Sequence, residues 1–194
     1  SKFVFGPLDD AGELRLDHDV TVLPPKKILL PPHEELLSYD ISRSFEVQNK
    51  LDTSGKILIG VHPYDVLAIQ QMDRIYLGTH TDDHYDTRRK NTVIIASDIL
   101  NVSDRTFSAS LGTHVVENGF DLLVTDIGPT IAITVGSAKG QDLLDRYGEV
   151  RNAESKEIEA VRDLREKLPG KYKKKLDVDK YEWQRLLSEN YEHP

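Results

Sequence analysis

The chain has 194 residues, a formal net charge of −8 at neutral pH and no cysteine. An acidic balance, with a pI of about 5.4, argues against nucleic-acid binding and against docking on an anionic membrane. The missing cysteines exclude disulfides, thiolate nucleophiles and cysteine-ligated zinc or iron–sulfur centres within this chain. No run of 18 apolar residues occurs, and the start SKFVFGPLDD is mixed and acidic rather than a signal peptide, so the expected location is the cytoplasm.

In chain order, Ser1 to Phe5 suggests a short strand, and Gly6 to His18 a loop rich in Asp and Gly. Val20 to Leu23 and Lys26 to Leu30 read as extended runs, each closed by a proline pair that denies ladder N–H groups and directs the region along an edge. Leu36, Leu37 and Tyr39 suggest one strand, and Phe45, Val47 and Leu51 another. The most informative stretch follows. In KILIGVHPYDVLAIQQMDRIY, Ile57 to Val61 is apolar on both alternating faces, as in a strand covered from both sides. Pro63 then suits a first helical position, Asp65 the positive dipole end, and Val66, Ile69 and Met72 a buried stripe. A strand that delivers the chain into a helix N-terminus is where α/β proteins place ligands.

Gly78 to Asn91 reads as a polar loop, and Thr92 to Ala96 as a second strand, which makes a right-handed parallel crossover the default. Phe107 to Leu111 suggests a short helix, and Phe120 to Thr125 with Thr130 to Val135 a hairpin around Asp126-Ile127-Gly128-Pro129. Ser137 to Tyr147 reads as a helix with Leu143 and Leu144 inward. The composition changes near Val150: the last 44 residues carry a net +1 against −9 for the first 150. Ile158, Val161, Leu164 and Leu168 form a helical stripe stopped by Pro169-Gly170, and Tyr181 to Glu189 reads as a last helix. The expected fold is α/β, with a mixed sheet over 1–150 built on a parallel strand-helix-strand core and a hairpin, and a helical extension over 151–194.

Three clusters carry side chains capable of chemistry. His80, Asp82, His84 and Asp86 offer imidazole and carboxylate at short spacing, the basis of a metal-assisted hydrolase reading, although no established zinc spacing is matched. Arg88, Arg89 and Lys90 suit an anionic ligand, or local pairing with Asp82, Asp83 and Asp86. Thr106 to His114 brings hydroxyls near a histidine but lacks the sharp strand-to-helix elbow of a serine nucleophile.

Three blocks taken together carry a resemblance: GVHPYDVLAIQQMDRIYL; RRKNTVIIASD with the following TFSASLGT; and GFDLLVTDIGPTIAITVGSAKGQDLL. With KKILLPPHEELLSYD upstream, they resemble the amino-terminal part of a family of iron–sulfur electron-transfer proteins, found as the beta subunit in sulfhydrogenases and as the corresponding component in anaerobic sulfite reductases. In that family the turn after the strand typically reads Pro-Cys-Asp, and Cys-Phe-Cys comes later. Here these places hold Pro63-Tyr64-Asp65 and Thr106-Phe107-Ser108, and an earlier cysteine position falls near Ser97 or Asp98. The resemblance therefore implies a degenerate cluster site of Tyr64, Asp65, Asp98, Thr106 and Ser108, with a polar pocket of His62, Arg88, Arg89 and His114 beside it. No cofactor and no resident metal is expected in this chain. It further implies a fragment of a longer protein whose iron–sulfur clusters lie in a ferredoxin-like part downstream, and whose partners are protein subunits of a redox complex. The alternatives are the hydrolase above and a stand-alone module binding a small ligand in the old pocket.

Overall fold

The computed structural model describes residues 3–40, 46–177 and 182–191. A short antiparallel ribbon, β1 (Leu37–Tyr39) and β2 (Val47–Asn49), precedes the main body. There β3 (Lys56–Val61), α1 (Pro63–Tyr76), α2 (Asp83–Lys90) and β4 (Thr92–Ser97) form the crossover unit. It is followed by β5 (Leu122–Asp126), β6 (Ile131–Val135), α3 (Ala138–Tyr147), α4 (Ser155–Lys167) and α5 (Trp183–Glu189). The sheet order is β3-β4-β5-β6, with β3, β4 and β5 parallel and β6 antiparallel to β5. This is the α/β mixed sheet, crossover and hairpin that the patterning predicts.

The core follows from that patterning. Leu58, Ile94, Ala96 and Leu123 turn one face of the sheet toward Val66 and Ile69 of α1, Tyr85 of α2 and Leu29, all buried, while Met72 packs on partly exposed. Each fully buried side chain of this size contributes about 1.5–3 kcal/mol relative to exposure. Gly60 lies in the left-handed region (φ 79°), where the pairing of β3 with β4 shifts register between Ile59 and Val61. A Cβ there would meet Leu16 and His18 at 3.3 and 3.5 Å, so the bulge needs glycine for its backbone angle and for the close approach of the segment before it.

Several local expectations are corrected. The strand β3 lies at the edge of the sheet, and it is not covered on both faces: Leu58 packs into the core, whereas Ile57 on the opposite face is 53% exposed, because an apolar run shows which residues tolerate burial and not whether a helix covers each face. Within the polar run 78–91 a helix forms, because Asp82 caps it by accepting from the Tyr85 N–H at 2.8 Å. Acidic Asp83 and Asp86 at its start and basic Arg88, Arg89 and Lys90 at its end suit the dipole. The run Lys26 to Leu30 is not extended; it opens in a 3-10 turn, Pro25–Ile28, started by the proline. Phe3 makes only an isolated bridge to Thr21, and Ser1 and Lys2 lie outside the described residues. Ile158 is exposed, so the stripe of α4 buries chiefly its carboxyl end, at Leu168. Of the last helix, Tyr181 and the side chain of Trp183 lie outside the described residues. No helix among the described residues is long and apolar enough to cross a membrane.

Candidate functional site

The carboxyl ends of β3 and β4 deliver His62 and Asp98 to one end of the sheet. His62 is the N-cap residue of α1, ahead of Pro63, and is 1% exposed. Its ring stacks on that of His18 at 4.0 Å with 6° between the planes, and its Nδ1 lies 2.7 Å from the Tyr64 hydroxyl. Nε2 is buried with no protein partner. Burial pushes His62 down to about 3, with His18 adding to the effect, so the imidazole is neutral. Burial also pushes the Tyr64 phenol up, and raises Asp65 to about 6 against the opposing pull of Lys26.

Asp98, 1% exposed, continues the chain beyond β4. Its Oδ2 accepts from Thr125 Oγ1 at 2.6 Å and from Arg165 Nε and Nη2 at 3.0 and 2.8 Å, whereas Oδ1 is buried without a partner. Ser108 opens a 3-10 turn, and its hydroxyl lies 2.7 Å from that of Tyr172. Tyr172 in turn packs with Ile99 and Leu168, with Tyr64, Val102 and Ala109 against them, and meets the His114 ring edge-on at 6.4 Å. His114 Nδ1 is buried and unpartnered.

Of the residues singled out from the sequence, Tyr64, Ser108 and His114 thus gather around Tyr172, with Asp98 preceding Ile99 of the same cluster. Asp65 stands in the first turn of α1. Thr106 is consumed in a local turn, donating to the Ser103 carbonyl at 2.9 Å. Arg88 and Arg89 are not brought to this pocket. They close α2, which feeds the amino end of β4, the end of the sheet opposite His62. Nor do they pair with Asp82, Asp83 or Asp86. Arg88 is buried and donates to the Leu29 carbonyl at 2.7 Å and to Glu34, and Arg89 binds both oxygens of Asp73 at 3.1 Å. Only Lys90 pairs with Asp86. Their partners come from distant elements, which sequence adjacency does not reveal. Spacing likewise gives no signal for His18, Thr125, Arg165 and Tyr172, each of which meets its partner only across the fold.

In the hydrolase reading, Asp82 is spent on the cap and Asp86 on Lys90. Among the described residues no group of three or more His, Asp or Glu is placed to hold a metal ion. An iron–sulfur cluster fits the other pocket no better. The Tyr64 and Ser108 hydroxyls are engaged with His62 and Tyr172 and Asp98 Oδ2 with Thr125 and Arg165, and the one unpartnered carboxylate oxygen, Asp98 Oδ1, does not replace a set of thiolates, for which protonated hydroxyls are hard, poor substitutes.

The neutral His62 makes a pH prediction. Its folded value lies below the unfolded one, so between the two the unfolded chain binds more protons, and stability falls as pH falls through this window. Asp65 works in the opposite sense, since its raised value favours the fold at low pH. Between about pH 6.5 and about pH 4.5 the native chain should lose about 2–3 kcal/mol more than His62→Phe does. Urea unfolding at both pH values measures this, and equal losses would show that His62 does not titrate on unfolding.

The sulfhydrogenase 2 beta subunit of Pyrococcus furiosus is 30% identical to this chain over 181 residues, which make up 92% of this chain and 53% of that protein. The chain therefore spans about half the length of the curated relative it matches. No family model matches it, and no solved structure matches it. Over nearly its whole length the chain is a homologue of a sulfhydrogenase beta subunit, in keeping with the three sequence blocks, and is sulfhydrogenase beta subunit-like.

Proposed function

We propose that this chain is the docking and scaffold part of an iron–sulfur electron-transfer subunit in a multisubunit cytoplasmic oxidoreductase of hydrogenase or sulfite-reductase type, and that it holds no cluster itself. The observation that carries the reading is the 30% identity, across 92% of a chain that has no cysteine, to a sulfhydrogenase beta subunit. The pocket supports it: Tyr64 and Tyr172 fill the space with ring carbon, and their hydroxyls are satisfied by His62 and Ser108. Redox centres then belong to a downstream ferredoxin-like part, and this domain positions them against the other subunits. A small ligand in the old pocket is less favoured, because that space is taken by the protein's own side chains.

The test is spectroscopic and compositional. The chain purified without oxygen after expression with an iron–sulfur assembly system should show no visible charge-transfer absorption and less than about 0.1 iron per chain, far below the several irons of one cluster. Affinity-tagged chain, in an extract of its own cells, should retain hydrogenase-type or reductase-type subunits. Stoichiometric iron would overturn the cluster-free reading, and failure to retain redox subunits would overturn the docking reading.

A further inference from the structure

The loop that leads into β5 carries a contact that the site around Tyr172 does not use. Of the six asparagines in the chain, Asn118 is the one followed by glycine. At the other five the next residue carries a side chain, which crowds any approach of its main-chain nitrogen to the asparagine. At Gly119 nothing of that kind is in the way. Gly119 lies at φ 90°, and among the described residues neither its N–H nor Asn118 Nδ2 has an acceptor. By contrast Asn91, Asn101 and Asn190 donate their Nδ2 groups to the carbonyls of Thr87, Asp17 and Leu186.

Gln70 of α1 reaches this loop from across the fold. Its Nε2 donates to the Asn118 main-chain carbonyl at 2.6 Å and to Asn118 Oδ1 at 3.0 Å, and a Cβ on Gly119 would lie 2.0 Å from it. The carbonyl partner fixes both amides, since a carbonyl can only accept: the Gln70 atom is the nitrogen, and the Asn118 atom facing it is the oxygen. These two acceptors are the atoms on which negative charge collects when a Gly119 nitrogen closes on Asn118 Cγ. Loss of the Gly119 proton spreads charge onto the Asn118 carbonyl, and attack on Cγ spreads it onto Oδ1. A donor already placed on both holds the charged species more strongly than the neutral resting chain.

We propose that Asn118 is a self-modifying site, at which Gln70 promotes closure of the asparagine side chain on the Gly119 nitrogen, so that the chain passes with age into aspartyl and isoaspartyl forms. The Gly119 N–H gives its proton to solvent base, a bond forms between that nitrogen and Asn118 Cγ, and the Cγ–Nδ2 bond breaks. Nδ2 takes up a proton and leaves as ammonia. Water then opens the five-membered imide: cleavage at Cγ leaves an aspartate, and cleavage at the main-chain carbonyl leaves the chain running through the side chain. The net change is one water consumed and one ammonia released, with no oxidation or reduction. Either product puts a new carboxylate beside Glu117. The isoaspartyl form also lengthens the main chain shortly before Asp121, whose carboxylate receives the Ile94 N–H at 2.8 Å and the Ser137 hydroxyl and so joins β5 to β4 and to the cap of α3. The site stands independently of the iron–sulfur reading.

The test incubates the 194-residue chain in mildly alkaline buffer made with heavy-oxygen water and follows each asparagine by peptide mapping and mass spectrometry. Asn118 should convert first, with one heavy oxygen in each product and isoaspartate among them. Gln70→Ala should convert at least about tenfold more slowly, the effect of losing a hydrogen bond to a developing charge. A second arm leaves the sequence untouched, so a poorly folded Gln70→Ala would not decide the matter. The native chain should convert Asn118 several-fold faster than the same chain unfolded in urea, the reverse of what a merely rigid loop would do. Conversion no faster than at the other asparagines, a native rate at or below the unfolded one, or a folded Gln70→Ala that converts as fast as the native chain would overturn the proposal.

Discussion

Arg165→Ala is expected to destabilise the fold by about 3–5 kcal/mol, the range for breaking a buried ion pair from one side. The reason lies in what is left behind. Asp98 is 1% exposed, and without the guanidinium its carboxylate keeps only the Thr125 hydroxyl, at 2.6 Å. Asp98→Ala should be milder, about 2–3 kcal/mol, because the Arg165 side chain is 28% exposed and can return part of its charge to water. Removing both should hurt less than the two single effects combined, since neither charge is then stranded. Urea unfolding of the three variants measures this cycle. Strict additivity, or an Arg165→Ala effect under about 1 kcal/mol, would show that the pair does not hold α4 to the sheet. A structural corollary is that amides of α4 should exchange faster in Arg165→Ala, because this contact ties the helix to the carboxyl end of β4.

That contact also shows why only part of the molecule is legible in its residues. The β3–α1 unit can be read because its information is local: a branched apolar run, a glycine, a proline at the first helical turn and an acid after it. The β5–β6 hairpin is legible for the same reason, with Gly128 at φ 93° in a turn flanked by alternating apolar residues. Helix α2 hides behind its polarity. Its buried anchors are Tyr85 and Arg88, and an arginine that is buried because Glu34 and the Leu29 carbonyl receive it leaves no hydrophobic trace. At the candidate site, motif order finds the residues on β3, α1 and β4 but not what surrounds them. Asp98 and Arg165 are 67 positions apart and Ser108 and Tyr172 are 64 apart, separations over which no periodicity carries information. The position of β3 at the edge has the same origin, since strand order is a property of pairing and not of any one strand.

Tyr172→Ala is the second large effect, expected at about 3–5 kcal/mol, the cost of deleting a buried aromatic ring whose cavity cannot fully collapse. The ring is 4% exposed, lies with Ile99 at 2% and Leu168 at 0%, and fills the space next to Tyr64. Tyr172→Phe separates packing from hydrogen bonding: it keeps the ring and removes only the contact with Ser108, so it should cost about 1 kcal/mol. The alanine variant should also expose the shape of the site. Its new cavity is walled by Ile99, Leu168, Val102 and Ala109, with the Ser108 hydroxyl at one side, which matches phenol, the part of the side chain that alanine lacks. Millimolar phenol should raise the midpoint of thermal unfolding of Tyr172→Ala and leave that of the native chain unchanged, because a ligand stabilises only a state that has room for it. If the native chain responds equally, the pocket is already open, and the view that its own tyrosines occupy the family's cluster position fails. If Tyr172→Ala loses less than about 1 kcal/mol, the segment after α4 is not seated on the sheet, and the site must be built from His62, Tyr64 and Asp98 alone.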